Sequence, residues 1–413
     1  MMMMMMMMMT MMHYANPKSI ESSNLTAPTV HAKENREMDQ SNAQKLFEQG
    51  AMFVLHDFPE KSEFGIDYMS WDTGPNFKGL KMIPAGIHFI YFSSVSSEGQ
   101  RGPRSGFFYN FTPQEVVVRH WDAQAEDIKP TRLSDGEMER YVSNKQDLDK
   151  FLGPYPYDKY KQWISLSKHI SPELVDLLQP DCKTIYSVPQ FESAASTTQS
   201  RRAAAQARAT QTSKDNQTSH TSQDDETKIS QSLPELVSVE SSKIKYSEIP
   251  KKKYPPGATP SEISKYNMDS SYALDVLLER FNKDFDKLLG EIQFAFLCFL
   301  IGQDFDSFEQ WKKLVHLVCT SGEALKLYSE AYLSFISVLH FQIKEVPSDF
   351  FVDIVTSDNF LTSTLYELFQ NIASQNVDKK LQKKSKDFEK HLTEKFKWDF
   401  SAEPDEYAPV VVE

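Results

Sequence analysis

The spacing of apolar positions changes several times along the chain, and each change marks a different kind of element. Residues 1–42 are polar and unpatterned, so a disordered low-complexity arm is expected there. From Gly50 to Trp121 short runs rich in Phe, Ile, Val and Tyr (AMFVLHDF, LKMI, GIHFIYFSS, SGFFYNF, EVVVRHW) are separated by Gly and Pro, which predicts strands of an antiparallel sheet. In one run His88, Ile90 and Phe92 alternate with Phe89 and Tyr91, leaving both faces apolar. That strand is expected to be central and covered on both sides. Thr112-Pro113-Gln114-Glu115 has a helix-start signature, but the three valines that follow favour a strand, so a turn is expected.

After Pro130 the period becomes helical, with helices over 134–152 and 155–179, the latter interrupted where Ser171-Pro172-Glu173 starts a new one. Packed on the sheet, they make residues 43–182 a β-rich α+β domain. Residues 183–245 change to Ser, Thr, Gln and Ala with almost no aromatic side chains, the composition of a disordered linker. Residues 246–400 read as an all-helical domain that opens at the capping box Thr259-Pro260-Ser261-Glu262. Its helices are expected at 284–302, 304–320, 322–344, 348–356, 358–375 and 377–397, and the stretch FAFLCFLI, apolar all round, must be buried at the centre.

Charge narrows the function. Of 413 residues, 45 are Lys or Arg and 58 Asp or Glu, a formal balance of −13, which argues against a broad electrostatic grip on nucleic acid or anionic lipid and favours protein partners. The longest apolar run, Phe294 to Ile301, falls far short of the roughly 20 residues a membrane span requires. The methionine-rich start lacks a basic n-region and a cleavage site, so it is not read as a signal peptide. Three cysteines, Cys182, Cys298 and Cys319, make no CxxC pair and no even disulfide framework, which suits a reducing compartment.

Candidate chemistry is sparse. Asp72-Thr73-Gly74 matches the short signature of aspartic proteases, whose mechanism needs two carboxylates sharing one proton, but no second such triplet occurs. The ten histidines show no metal-ligand spacing, and hydrogen-bonded structural roles are expected for His88, His120, His316 and His340. Phosphate-cradling and nucleophile-elbow motifs are lacking, so no catalytic residue, metal or cofactor is expected. Trp163 and Trp311 sit at helical spacing with apolar residues and read as core anchors. Lys251-Lys252-Lys253 reads as a solvated basic cluster at the entry to the second domain.

Longer stretches carry a resemblance. FGIDYMSWDTGPNFKGLKMIPAGIHF (64–89), GPRSGFF (102–108) and FLGPYPYDKYKQWISLSKHIS (151–171) closely resemble the first domain of the Aar-two family of pre-mRNA splicing factors. YPPGATPSEIS (254–264), MDSSYAL (268–274), GEIQFAFLCFLIGQ (290–303), PSDFFVDIVTSDNFLTSTL (347–365) and KFKWDFSAEPDEYAPVVVE (395–413) resemble its later part. The resemblance implies a β-rich domain followed by a VHS-like helical domain. It also implies a non-catalytic assembly factor of the U5 small nuclear ribonucleoprotein (snRNP), which binds the large U5 scaffold protein through its RNase H-like and Jab/MPN-like domains and delays helicase binding until maturation. The implied setting is cytoplasmic and nuclear, with the chain a monomer inside a hetero-complex, bound to neither nucleic acid nor membrane. A generic VHS-like adaptor and a hydrolase using Asp72 are the alternatives.

The carboxyl terminus adds one site of its own. Residues 401–413 pass Pro404 and Pro409 and end Val410-Val411-Val412-Glu413, an extended tail whose backbone amides and carbonyls have no partner within a helical domain. Val410, Val411 and Val412 are therefore expected to bind protein by adding a strand to a sheet edge on the scaffold.

Overall fold

The computed structural model describes residues 40–95, 100–130, 133–193, 236–346 and 360–400. The expected helix at 348–356 and the tail with Val410, Val411 and Val412 lie outside these residues, as does nearly all of the amino-terminal arm.

The first domain is a sandwich of two five-stranded sheets. A short helix α1 (Gln40–Gln49) leads into β1 (Ala51–His56), followed by β2 (Glu63–Ile66), β3 (Met69–Asp72), β4 (Gly79–Ile83), β5 (Gly86–Ser93), β6 (Ser105–Phe111), β7 (Val116–Asp122) and β8 (Asp127–Pro130). Helices α2 (Asp135–Ser143) and α3 (Lys145–Leu148), strand β9 (Gly153–Pro154), helices α4 (Tyr157–Ser167) and α5 (Pro172–Leu178) and strand β10 (Ile185–Tyr186) complete it. One sheet has the order β8-β7-β1-β4-β9 and the other β10-β6-β5-β2-β3.

The second sheet is antiparallel throughout. The first is mixed, because β7 runs parallel to β1 and β9 parallel to β4. Short runs separated by turns predict antiparallel neighbours. The chain, however, passes through the other sheet before each return to β1: β4 comes back antiparallel after β2 and β3, and β7 comes back parallel after β5 and β6, so turns between neighbouring runs do not fix the direction of these pairs.

Strand β5 is central, as its two apolar faces require. Ile90 and Phe92 point into the sandwich core with Phe53, Phe64, Leu80 and Phe111, whereas Phe89 and Tyr91 point the opposite way into a core shared with the helical domain. On the far side of the first sheet Met52, Val54, Val116 and Val118 are covered by Phe47, Met138 and Tyr141 from α1 and α2. The result is four layers: helices, sheet, sheet, helical domain. The Thr112–Glu115 segment is a turn, in which the Glu115 carboxylate accepts from the Thr112 amide (2.7 Å) and hydroxyl (3.0 Å) before β7 begins.

The segment expected to be a disordered linker from 183 to 245 is structured at both ends. Ile185–Tyr186 adds to the edge of β6, and β11 (Phe191–Ser193) pairs with β12 (Leu236–Ser238). Beyond β12, Lys245 donates its amide to Leu178 O at 2.7 Å. Backbone pairing of this kind needs few apolar side chains, which is why composition alone misses it. Residues 194–235 lie outside the described ones.

The second domain contains α6 (Pro260–Met268), α7 (Ser271–Glu279), α8 (Phe285–Leu300), α9 (Phe305–Cys319), α10 (Ala324–Leu327), α11 (Ser329–Glu345), α12 (Phe360–Ser374) and α13 (Lys379–Phe396). The Thr259 capping box forms, with its side chain accepting from the Glu262 amide. Helix α8, which carries FAFLCFLI, is buried almost all round. Cys298 and Cys319 are buried core thiols and Cys182 is exposed. Among the described residues no helix is long and apolar enough to cross a membrane.

Candidate functional site

The geometry that distinguishes this protein lies where its two domains meet. Helix α8 presses against α4, α5 and the outer face of β5 and β6. Phe108 of β6 stacks on Phe294 of α8 with ring centroids 4.7 Å apart. Gly290 faces the His169 carbonyl so closely that a Cβ there would lie 2.3 Å from the oxygen. One residue pair on, Gln293 closes the corner by accepting from the His169 amide at 2.7 Å. Trp163, fully buried in α4, donates its indole N–H to Ile87 O at 2.9 Å, so the strand and the helix that touch α8 are also tied to each other.

Polar side chains pin the junction at both ends. Arg104 donates from Nη1 to Ile301 O (2.7 Å) and from Nη2 to Glu63 Oε1 (2.7 Å), while its guanidinium lies 4.6 Å from the Tyr91 ring centroid. Burial alone would raise the Glu63 carboxyl, but the charge and hydrogen bond of Arg104, with help from Ser70 and Arg101, hold it below the ordinary carboxylate range. At the other end Glu345 accepts from the Tyr68 hydroxyl (2.8 Å) and from Gln162. Burial, then the negative charge of Glu345, pushes the Tyr68 phenol well up. The strap leading into the second domain is held by buried Glu291, which accepts from the Ser247 amide (2.7 Å) and hydroxyl (2.6 Å). Burial pushes the Glu291 carboxyl up.

The motif residues take structural places. Asp72 ends β3 with its side chain 58% exposed and pairs with Arg101 at 2.6 Å. Its cross-strand neighbour Glu63 is committed to Arg104, so the two acids are separately neutralised instead of sharing a proton. His88 is buried, with Nδ1 2.6 Å from Asp67 Oδ2 and Nε2 2.9 Å from Pro84 O; Asp67 also accepts from the Tyr155 hydroxyl at 2.6 Å. His120 stacks on His56, with ring centroids 4.8 Å apart. His316 lies beside Thr364, and Trp311 donates to Gln342 Oε1 at 2.9 Å. No group of three or more His, Cys, Asp or Glu among the described residues is arranged to hold a metal ion.

The root of the carboxyl-terminal tail is built in. Helix α13 stops at Lys397, whose φ of 61° turns the chain, and Phe396 stacks on Trp398 at 4.9 Å. Phe400 is buried and meets Phe369 edge-on at 5.0 Å. Tail residues 401–413 follow directly from this anchor.

Sequence reasoning did not identify Arg104, Glu291 or Glu345 as junction residues. Arg104 and Glu291 stand inside stretches that carry the family resemblance, and a charged residue amid GPRSGFF or GEIQFAFL is the signal that was there to be used.

Fold and junction together define a two-domain protein, a β-sandwich joined through one continuous core to a helical stack. Residues 49–180 match the AAR2 N-terminal domain and residues 246–401 the AAR2 C-terminal repeat region. The mouse and human proteins each named Protein AAR2 homolog are 42% identical over 380 residues, which cover 91% of this chain and 97% of theirs. The A1 cistron-splicing factor AAR2 of Saccharomyces cerevisiae is 22% identical over 339 residues, 79% of this chain and 85% of its own. The chain belongs to the AAR2 family.

Proposed function

We propose that this protein is a non-catalytic assembly factor in pre-mRNA splicing. It binds the large scaffold protein of the U5 snRNP through the scaffold's RNase H-like and Jab/MPN-like domains and delays helicase binding until the particle matures. It works as a monomer within that hetero-complex, in cytoplasm and nucleus, without a cofactor and without gripping nucleic acid or membrane directly. The observation that carries this reading is membership of a family with a yeast member named as a splicing factor.

Two features support the mechanism. The shared core holds both domains as one body, so a partner spanning them meets a surface already organised and loses less freedom on docking. The tail starts from the buried Phe400, which confines Val410, Val411 and Val412 near that body and raises their effective concentration at a neighbouring sheet edge. There the valines add a strand, with main-chain hydrogen bonds supplying affinity.

Calorimetry of the full chain with the two scaffold domains tests this. Val411→Pro, which removes one amide donor, is expected to weaken binding by about tenfold, a loss of about 1.4 kcal/mol. Unchanged affinity would reduce the tail to a frayed end, and no binding by the unaltered chain would remove the proposed function altogether.

A further inference from the structure

Helices α11 and α13 lie side by side and run in the same direction, since Ser337 meets Lys384 and His340 meets Phe388 and His391. On α11 Ser337, His340 and Lys344 follow one another at helical spacing, and on α13 Lys384, Phe388, His391 and Lys395 do the same. The two stripes face each other to form a seam. The rings of His340 and His391 sit 4.8 Å apart in its middle. Lys168, just past α4, adds its charge beside Lys384. Lys168, Lys344 and Lys395 are exposed, while Lys384 and both imidazoles are half-buried.

This concentration of cations is unusual in a chain of net charge −13. Among the described residues none of the four lysines forms an ion pair with a carboxylate; Lys384 donates to the Ser337 hydroxyl instead. Glu345 offsets Lys395, but it is already taken by Tyr68 and Gln162, and the other acids near the seam, Asp387, Glu389 and Glu394, lie along its flank on α13. The cations oppose one another as a result. Burial and then the charges of His391, Lys344, Lys395 and Lys384 hold the His340 imidazole below its ordinary value, and burial and like charge hold the Lys384 and Lys395 amines down. Such repulsion is relieved when an anion enters.

We propose that the α11–α13 seam is a binding site for a phosphorylated segment of a partner protein, with the Lys168, Lys344, Lys384 and Lys395 amines and the two imidazoles gripping phosphoserine or phosphothreonine. The stripe from Lys384 to Lys395 is about 16 Å long at 1.5 Å per residue, room for one or two phosphates and no more. Asp387, Glu389 and Glu394 flank it on α13, so an extended nucleic-acid backbone would run from cations into carboxylates. A compact dianion on a peptide avoids them. Because the bound phosphate favours imidazolium, binding takes up protons, and affinity rises as pH falls from 7.5 towards 6.5, above the second phosphate pKa of about 6.

The test is calorimetry on the full chain with a short serine-rich peptide carrying two phosphoserines, the same peptide without phosphate, and a single-stranded RNA of equal charge. The phosphopeptide is expected to bind at least about tenfold more tightly than either control, and Lys384→Gln or Lys395→Gln to lower its affinity by about tenfold. Lys395→Gln is the safer variant because its side chain is exposed, and an unchanged melting temperature confirms that it folds. Replacing His340 by Gln should lower the proton uptake, read from the dependence of binding heat on buffer. Phosphopeptide binding no better than that of the unphosphorylated peptide, or indifferent to these variants, overturns the proposal. Tighter binding of the RNA, lost in the same lysine variants, overturns it in favour of a nucleic-acid site.

Discussion

Arg104→Met tests whether the two domains depend on a buried charge at their junction. The Arg104 side chain is 12% exposed and Glu63 6%, so the pair is nearly dry. Removing the guanidinium leaves Glu63 with the Ser70 hydroxyl at 2.8 Å and Arg101 at 3.9 Å, and takes the donor from Ile301 O. Breaking a buried pair costs about 3–5 kcal/mol because the remaining charge is stranded. Arg101 still reaches Glu63, which places the expected loss at the low end, about 3 kcal/mol. About 300 residues are described, and at roughly 2.1 cal/mol/K per residue the unfolding entropy converts that loss to a fall of about 5 °C in melting temperature. Scanning calorimetry measures it.

The pH dependence of that difference has a definite sign. Because Arg104 depresses the folded-state pKa of Glu63, its stabilisation is present above the unfolded carboxylate value and is lost as pH falls through the folded one. The gap between the two proteins should therefore close as pH falls below about 4.5. Glu63→Gln combined with Arg104→Met should recover much of the loss, since no charge is left stranded. A fall of less than about 1 °C at neutral pH, or a double variant no better than the single one, would refute the reasoning.

Gly290→Ala should destabilise the protein by about 1–3 kcal/mol in urea unfolding, because the new Cβ would lie 2.3 Å from His169 O and 2.4 Å from a Leu174 methyl. Helix propensity alone predicts a gain of about 1 kcal/mol, so the sign of the change decides whether α8 sits as tightly against the first domain as described. Asp304, the cap of α9, is pushed up to about 6, by burial first. A raised carboxyl costs stability progressively as pH rises from the unfolded value near 4 to about 6, so Asp304→Asn, which keeps a capping oxygen, should flatten the melting-temperature profile over that range. An identical profile in the variant would contradict the burial of this carboxylate.

Much of the fold was legible because local chemistry and tertiary placement agree. The alternation His88 to Phe92 predicts a strand covered twice, and the structure covers Ile90 and Phe92 with one sheet and Phe89 and Tyr91 with the helical domain. Thr259, Pro260 and Glu262 specify a helix start by hydrogen bonds made within four residues, which need nothing from the rest of the chain. The parallel pairing of β1 with β7 was not legible, since register between strands some 60 residues apart is set by the path of the chain through the second sheet. The paired ends of the linker escaped for a related reason. Backbone hydrogen bonds hold Ile185–Tyr186 to β6, and backbone groups are the same in every residue.

The same distinction separates what suggested each of the two proposed binding surfaces. Three successive valines favour an extended backbone wherever they occur, so the proposal for Val410, Val411 and Val412 rests on the sequence alone. Lysines on an amphipathic helix advertise nothing, since a solvated helix face looks the same: Lys384 and Lys395 gain meaning only when α11 brings His340 and Lys344 against them, and Lys168 arrives from the other domain. Arg104 is the extreme case, because its hydrogen-bond partner Ile301 O lies 197 positions away and belongs to a main-chain group with no side-chain signature. A junction assembled from such contacts couples the domains: loosening Arg104 should disturb the geometry of α8, and with it the body to which Lys168 and the seam of α11 and α13 both belong. The Arg104→Met protein is thus expected to bind the phosphopeptide more weakly, even though Arg104 itself touches none of the seam residues.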